Sequence, residues 1–320
     1  MTNEHWARKR QILAQLSHDK FVSGEAIAQQ LQLSRMAVNQ HIDAMGEYGI
    51  DIFSVKGKGY QLAAPISLIE ESLLLKAIDK RCFYFNEIDS TNEFMLNHAS
   101  ELSAGDICIS EYQSKGRGRR GRTWQSPYGH HLYASMFWRT HLQPQALMGL
   151  SLVVGCSLVS ALQGLKVEGL GLKWPNDVYL DGRKLAGILI ELGQPSDSQT
   201  QIVVGFGINM NMPLEQGNLI DQPWSDLSGR SGIDKTDLMA NIHQQLQDDF
   251  ATFEAKGLTP FIERWNNADL FIGKPVTLSM APNEVSGICQ GIDEQGGIVI
   301  STEAGNKAYI GGEISLRSTT

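Results

Sequence analysis

LSRMAVNQHIDAMGEYGIDIFSVKGKGYQL, residues 33–62, decides the fold of the N-terminal region. Ser34 can cap a helix that runs from about residue 35 to residue 48, and Gly49 ends it. Two shorter helical patterns precede this stretch, and the hairpin 51–62 follows it. The inward face of the third helix is predicted by apolar residues at i, i+4 and i+7: Val38, Ile42 and Met45. This order of elements is that of a winged helix-turn-helix.

Polar residues on the outward face of the third helix indicate a DNA-binding surface. Ser34 and Arg35 suit phosphate and base contacts, while Asn39 and Gln40 can read adenine edges. The hairpin tip KGKG would bring two lysines to a phosphate backbone, between strands in which the apolar residues Phe53, Val55, Tyr60 and Leu62 alternate. The candidate DNA-binding residues are therefore Ser34, Arg35, Asn39, Gln40, Lys56 and Lys58. The alternative is a small helical module that contacts other proteins.

Charge and length limit where DNA could bind. The chain has 320 residues and a net charge of −8, and its length suggests two or three domains. Residues 1–65 carry seven Lys/Arg and six Asp/Glu, a charge of +1, so the remainder carries −9. A nucleic-acid-binding region would therefore be confined to the N-terminus.

Cysteine usage and hydropathy predict a soluble cytoplasmic protein. The four cysteines, Cys82, Cys108, Cys156 and Cys289, are scattered without a CxxC motif, which indicates free thiols in a reducing compartment. No stretch approaches 18 apolar residues, and the N-terminus lacks an apolar signal core, so we expect no membrane association.

The segment SKGRGRRGRTW, residues 114–124, concentrates five basic residues and three glycines. Glycines disfavour a stable helix and permit close approach of the backbone to a ligand. Backbone N–H groups together with guanidinium groups suit a phosphate or a carboxylate. Taken alone, the segment is more readily explained as a solvated basic loop or a nonspecific nucleic-acid tail.

The region around this basic loop alternates strand and helix patterns. Residues 132–138 and 202–204 predict strands, and 147–165 predicts a central buried helix. Asp181-Gly182 predicts a hairpin turn between strands 178–180 and 184–192. We expect loops at 194–200 and at 212–231, of which the longer could close over a ligand. Residues 271–320 contain five short strand patterns, which fit a small SH3-like barrel.

Four further segments bring polar or charged groups next to turns. Residues 89–92 (DSTN) can cap a helix or bind a polar head group, and 173–177 (KWPND) surround a proline with polar groups. The segment 184–188 (KLAGI) places a lysine, with no obvious local carboxylate partner, after the hairpin turn. The segment 205–209 (GFGIN) ends a buried strand in two glycines and an amide. Each segment is a weak signal alone.

Together these segments closely resemble the biotin protein ligases of the bifunctional type, which also repress the biotin operon. The resemblance covers the whole chain and rests on DSTN 89–92, GRGRRGRTW 116–124, LYASMFW 132–138, KWPNDVYL 173–180, KLAGILIE 184–191, GFGINMN 205–211 and GGEISLR 311–317. It implies an α+β protein: a winged helix-turn-helix at 1–65, a class II synthetase-like mixed α/β ligase domain at 66–270 and an SH3-like C-terminal domain at 271–320.

The resemblance also implies an activity. Such an enzyme, a biotin–[acetyl-CoA-carboxylase] ligase, makes biotinyl-5′-AMP from biotin and MgATP and transfers biotin to a lysine of the biotin carboxyl carrier protein. Its adenylate acts as corepressor, so operator DNA and a homodimer are expected partners. The alternative is a ligase-like regulator that senses biotin without transfer activity. No cysteine lies in a motif and no Ser–His–Asp order is evident, so a covalent enzyme intermediate is not expected.

Site residues follow from the matched motifs. Arg119 and Lys184 are the implied catalytic cations. The implied biotin-binding residues are Ser90, Thr91, Asn92, Gln113, Arg117, Gly118, Arg119, Lys184, Gly187 and Gly205. The implied adenylate-binding residues are Arg122, Asn209, Trp224, Asn176 and Asp177. Trp124 is expected beside the valeryl chain of biotin, and Trp224 is expected to close over adenine. No dedicated metal site is expected in the protein.

Two points stay open in the sequence. Asp177 could orient Lys184 or help hold Mg²⁺. His130-His131 stands where relatives often have Gly-x-Asn, and local packing variation explains it more readily than metal binding. His131 could still alter the hydrogen bonds on the biotin side.

Overall fold

The protein is described by a computed structural model that covers residues 4–193, 199–218, 220, 222–280, 283–310 and 315–318. Three groups of elements follow one another along the chain, each with its own sheet: two strands, then seven, then five. Helices and strands occur together, which confirms the predicted α+β class.

The N-terminal group is the predicted three-helix and hairpin arrangement. It comprises α1 (Glu4–Leu13), α2 (Gly24–Leu31), α3 (Arg35–Met45), β1 (Ile52–Val55) and β2 (Gly59–Leu62). Ser23 and Ser34 cap α2 and α3, accepting hydrogen bonds from the amides of residues 25 and 37 at 3.2 and 3.1 Å. Helix α3 ends three residues earlier than predicted, because residues 46–48 tighten into a 3₁₀ turn before Gly49 takes a φ of +74°.

The hairpin register divides its apolar residues between two faces. Because Ile52 lies opposite Leu62, and Ser54 opposite Tyr60, Tyr60 and Leu62 share the buried face. Phe53 and Val55 lie on the other face and are 57% and 39% exposed. The apolar alternation of the sequence therefore does not form one inward face.

The central group is a seven-stranded mixed sheet with helices on both faces. Its order is β3-β4-β5-β9-β8-β7-β6, and only the β3–β4 pair among these neighbours is parallel. The strands are β3 (Cys82–Phe85), β4 (Ile107–Ser110), β5 (His131–Thr140), β6 (Leu170–Lys173), β7 (Asp177–Leu180), β8 (Arg183–Leu192) and β9 (Thr200–Asn209). The helices are α4 (Glu71–Ala77), α5 (Thr91–Asn97), α6 (Leu150–Gly164), α7 (Leu214–Gly217), α8 (Lys235–Lys256) and α9 (Thr259–Ala268).

The predicted elements of this region are confirmed with small shifts of their ends. Strands β7 and β8 form the predicted hairpin, with Asp181 and Gly182 at φ values of +50° and +75°. The predicted long loop 212–231 contains the single-turn helix α7. Most of the predicted loop 194–200 lies outside the described residues, and β9 already begins at Thr200.

Helix α6 forms the centre of the main core. The segment Pro144–Gly164 is long and apolar enough to cross a membrane, which corrects the sequence expectation that no stretch is. It does not form one continuous α-helix, because a 3₁₀ turn at Pro144–Leu147 precedes α6. Eleven residues of α6 are buried, against the sheet on one side and α8 and α9 on the other. This is the packing of a core helix.

The C-terminal group is an antiparallel five-stranded sheet in the order β13-β12-β11-β10-β14. Its strands are β10 (Pro275–Met280), β11 (Asn283–Ile292), β12 (Ile298–Thr302), β13 (Gly305–Tyr309) and β14 (Ser315–Ser318). These are the five predicted strands. The matched segment 311–317 lies partly outside the described residues.

The N-terminal group packs directly on the central group. The ring of Trp6 stacks on Tyr128 with 3.9 Å between centroids. Behind this contact the fully buried ammonium of Lys235 lies 2.5 Å from a carboxylate oxygen of Glu111, and burial lowers the pKa of Lys235. Glu111 also accepts a hydrogen bond from the amide of Ile69, in the segment that links the two groups. A buried charge pair thus anchors the linker.

Candidate active site

A large cavity opens on the α5 face of the central sheet. It has a volume of about 200 Å³ and lies beneath the basic loop, which we define as residues 114–124. Six of the seven motifs that carry the resemblance contribute to its lining, and the seventh, GGEISLR 311–317, lies partly outside the described residues. The lining residues are Ser90, Thr91, Asn92, Gln113, Arg117, Gly118, Arg119, Arg120, Arg122, Thr123, Trp124, Ala134, Lys173, Trp174, Pro175, Asn176, Asp177, Lys184, Gly187, Ile188, Leu189, Gly205, Phe206, Gly207 and Gln222. Residues as far apart in sequence as Ser90 and Gln222 meet here, so the fold builds one site.

The basic loop folds back on itself over the cavity, and backbone hydrogen bonds join its two halves. The amide of Gly118 donates to the carbonyl of Arg122 at 2.7 Å, and the amide of Trp124 donates to the carbonyl of Gly116 at 3.0 Å. A Cβ atom at Gly116 would lie 2.4 Å from the backbone carbonyl oxygen of Trp124, so a larger residue cannot make this turn. The glycines therefore let the loop carry its arginines across the cavity mouth.

One end of the cavity presents short polar side chains. Ser90 caps α5, and Gln113 accepts hydrogen bonds from the amide and hydroxyl of Thr91 at 2.9 and 3.2 Å. The hydroxyl of Ser135 lies 2.5 Å from Asn92 Oδ1 and 2.7 Å from the Thr91 hydroxyl. Ser90, Thr91 and Asn92 are all buried, so this end can bind a polar group only through well-placed hydrogen bonds.

The floor of the cavity is a row of glycines on adjacent strands. A Cβ atom at Gly205 would lie 2.0 Å from Asn92 Oδ1, and Cβ atoms at Gly187 and Gly207 would lie 2.9 and 2.7 Å from ring atoms of Trp124. Side chains at these positions would displace the polar end or the indole. The absence of side chains thus leaves an open slot with Trp124 at its wall, as expected for an apolar chain.

Cations gather at the other end of the cavity. Arg119 Nη1 donates to Asn176 Oδ1 at 3.0 Å, and Lys184 Nζ lies 2.9 Å from Asp177 Oδ1. The expectation that Lys184 lacks a local carboxylate is therefore wrong: the β7–β8 pairing brings residue 177 beside it. The Lys184 ammonium also lies 5.5 Å from the centroid of the Trp124 ring. Both members of the pair are about 15% exposed, so the cation is held rigidly at the cavity edge.

Two predicted adenylate residues lie outside the cavity wall. Asn209 is buried and donates to the carbonyl of Ser225 at 3.0 Å, which ties strand β9 to the loop after α7. The indole of Trp224 donates to the carbonyl of Gly217 at 3.1 Å and does not line the cavity in this structure. Arg122, Asn176 and Asp177 do line it.

Sequence reasoning missed two polar residues that contact the polar end of the cavity, Ser135 and Glu191. Ser135 lies on the cavity face of β5 within the apolar motif LYASMFW, where the sequence gives no sign that its hydroxyl has a polar partner. Glu191 ends the motif KLAGILIE and accepts from the Asn92 amide nitrogen at 2.9 Å. In the sequence each is a polar residue between two apolar neighbours, Ser135 between Ala134 and Met136 and Glu191 between Ile190 and Leu192.

The paired histidines belong to the core and not to the cavity. Burial lowers the pKa of His130 to about 4 and that of His131 well below its ordinary value, so both are neutral at pH 7. His131 Nδ1 accepts from the amide of Met210 at 3.3 Å. Within the described part of the chain, no three His, Cys, Asp or Glu side chains form a metal cluster.

The candidate DNA-binding residues share a separate, exposed surface. Arg35, Asn39 and Gln40 are exposed on α3, and Lys56 and Lys58 are exposed at the hairpin tip. The hydroxyl of Ser34 is engaged in capping α3. Asn39 accepts from the Tyr60 hydroxyl and donates to Asp43, both at 2.9 Å, so reading a base would require it to exchange partners.

Comparison with known proteins agrees with this architecture. Family models match in three places: an HTH domain at residues 8–61, the biotin/lipoate A/B protein ligase family at 84–209 and the biotin protein ligase C-terminal domain at 271–317. The bifunctional ligase/repressor BirA of Escherichia coli is 43% identical over 309 residues, which cover 96% of both chains. The chain belongs to the biotin protein ligase family.

More distant members of this family give the same result. The bifunctional ligase/repressor BirA of Bacillus subtilis is 27% identical over 310 residues, covering 93% of this chain and 94% of that one. A solved structure, biotin protein ligase from Aquifex aeolicus in complex with biotin and ATP, superposes with a TM-score of 0.65 at 31% identity. It covers 75% of this chain and all of that chain.

Proposed function

We propose that this member of the family activates biotin with MgATP to biotinyl-5′-AMP and transfers biotin to a lysine of the biotin carboxyl carrier protein. The observation that supports this most strongly is that the cavity has three zones of different chemical character. It is polar at α5, open above the glycine floor and cationic around Lys184 and Arg119. These three zones suit, in order, a ureido ring, an aliphatic chain and a carboxylate next to a phosphate.

In the first step a carboxylate oxygen of biotin attacks the α-phosphorus of ATP, and pyrophosphate leaves. Negative charge develops on the phosphoryl oxygens, where Lys184 and Arg119 would neutralise it. In the second step the neutral amine of the carrier lysine attacks the acyl carbon, AMP leaves with the electron pair of the broken bond, and the proton lost by the amine passes to solvent. The protein contributes by positioning and charge neutralisation, without a covalent intermediate.

Mg²⁺ would enter with the phosphates. Among the described residues that line the cavity, Asp177 is the acidic one, and one carboxylate plus substrate phosphates is a usual Mg²⁺ environment. When bound, the ion supplies further charge neutralisation to the phosphates. Asp177 would help to hold that ion and already pairs with Lys184, so the two roles left open by the sequence are compatible.

We further infer that the adenylate is the corepressor of a cytoplasmic repressor. One winged helix-turn-helix reads a short half-site, so specific repression requires a symmetric dimer on a palindromic operator. Ordering of the basic loop and of residues 212–231 around the adenylate would lower the entropy cost of dimerisation. The unbiotinylated carrier would compete for the same surface. We also propose domain boundaries at residues 65 and 270, because these positions separate the three groups of elements, each with its own sheet.

The alternative, a regulator that senses biotin without transfer activity, has less need of phosphate-neutralising cations. Sedimentation and operator titration, each with and without biotin plus ATP, test the regulatory part. We expect dimerisation and operator binding to increase with the adenylate and to decrease with the unbiotinylated carrier. Equal dimerisation and operator affinity in both states would contradict the regulatory proposal and leave the ligase activity standing.

A further inference from the structure

Glu191 stands just outside the cavity lining and contacts two residues that belong to it, Asn92 and Arg117. Its Oε2 accepts a hydrogen bond from Asn92 Nδ2 at 2.9 Å, and its Oε1 lies 2.6 Å from Arg117 Nη2. Asn92 belongs to the first turn of α5, and Arg117 belongs to the basic loop. The Glu191 side chain is 21% exposed, so it is held between these partners at the edge of the cavity.

The contact with Glu191 determines which way the Asn92 amide points. A carboxylate only accepts hydrogen bonds, so Glu191 selects the amide nitrogen of Asn92, whose other proton is directed at the carbonyl of Leu189 at 3.3 Å. Asn92 Oδ1 is thereby turned toward Ser135 and the floor at Gly205. An oxygen at this buried position accepts an N–H donor from a ligand, whereas a rotated amide would present N–H groups instead.

The second contact of Glu191 acts on the basic loop. The ion pair with Arg117 joins the loop to the C-terminal end of strand β8, 74 residues away in sequence. Arg117 is 42% exposed, so solvent screens the pair and its contribution is modest. The same carboxylate thus orients the acceptor that meets the ureido ring and holds the loop that covers the ligand.

We propose that Glu191 is a positioning residue of the biotin subsite, which fixes the Asn92 amide as an acceptor and couples it to closure of the basic loop. The proposal rests on the proposed ligase function for the identity of the ligand. In this proposal Glu191 takes no part in the chemical step itself.

Two substitutions separate the two contacts. Glu191→Ala removes both. We expect the biotin Kd and the KM for biotin to rise about tenfold, because a partly buried hydrogen bond to a carboxylate is lost, while kcat stays within about twofold. Glu191→Gln keeps an oxygen for the Asn92 amide and removes the charge opposite Arg117. We expect it to bind biotin within about twofold of wild type and to release the adenylate about two- to fivefold faster.

Arg117→Met provides the independent test of the loop contact, and Glu254→Gln provides a control. Arg117→Met should match the adenylate release of Glu191→Gln, and the double variant should release no faster than either. Glu254 accepts from the Trp138 indole at 3.1 Å, outside the cavity lining. Its substitution should therefore change neither the biotin Kd nor the rate of adenylate release.

The measurements are biotin titration calorimetry without ATP, steady-state adenylation and release of preformed adenylate, each on the full chain. Unchanged biotin affinity in Glu191→Ala, or a fall in kcat at constant KM, would overturn the proposal. So would additive release rates in the double variant. If wild type binds biotin but makes no adenylate, the ligase function fails, while the calorimetric comparison still tests Glu191.

Discussion

Replacing Lys184 with methionine should slow adenylate formation far more than it weakens biotin binding. The methionine keeps most of the side-chain volume over Trp124 but removes the cation. Loss of one preorganised charge contact at a developing anion typically costs about 3–4 kcal/mol of transition-state stabilisation, a decrease in kcat of roughly 10²–10³-fold. Pyrophosphate release under saturating biotin and ATP measures this step.

The effect of this substitution on stability should be small by comparison. It leaves Asp177 without its partner at 2.9 Å, but both side chains are about 15% exposed, so water can solvate the carboxylate. We expect the free energy of unfolding to fall by about 1–2 kcal/mol, below the cost of breaking a fully buried pair. Arg230→Met is the matched control, because it breaks a 2.7 Å ion pair with Asp181 outside the cavity lining.

The result that refutes the reasoning is near-normal kcat in Lys184→Met together with a raised biotin Kd. Lys184 would then bind the ground-state carboxylate and not the transition state. Asp177→Asn refines the test, because it keeps the cation. A rise in the Mg²⁺ requirement of that variant would assign Asp177 to the ion, and an unchanged requirement would assign it to orienting Lys184.

Three further substitutions or conditions probe other parts of the molecule. Arg119→Gly should weaken adenylate retention, so that released adenylate labels bystander lysines; labelling confined to the carrier at an unchanged release rate would exclude the loop as a latch. Gly205→Ala should raise the KM for biotin at least tenfold, because its Cβ would lie 2.0 Å from Asn92 Oδ1, whereas wild-type kinetics would show that Asn92 moves freely. His130 is neutral when folded because burial lowers its pKa to about 4 from the ordinary 6.5, so between these values the unfolded chain binds more protons. The free energy of unfolding should therefore fall by roughly 3 kcal/mol for this residue as the pH falls from about 6.5 to about 4, and His130→Asn should flatten the urea-denaturation profile in that window.

Local patterns predicted the elements because each one is set by nearby residues. Ser34 and Gly49 sit at helix ends where side-chain capping and a positive φ act within one turn. Asp181-Gly182 formed the predicted hairpin for the same reason. The face on which Phe53 lies was not predictable in this way, because it depends on the register between two strands.

Pairwise contacts across the site were the part that the sequence could not supply. The partner of Lys184 is set by the β7–β8 register, which shifts by one residue at Val178/Tyr179. Glu191 and Ser135 reach the cavity-lining Asn92 only because β5, β8 and β9 are neighbours in the sheet. The motifs predicted which segments meet, whereas the hydrogen bonds among them depend on tertiary pairing.

The most direct test of the account is a transfer assay. The full chain is incubated with biotin, MgATP and an unbiotinylated carrier domain, and the carrier is analysed by intact-mass and peptide mass spectrometry. The account predicts one biotinyl group on one carrier lysine, formed only when ATP is present, and a sharp loss of product with Lys184→Met. Biotin binding without any modified carrier, under conditions where a known ligase modifies the same domain, would contradict it.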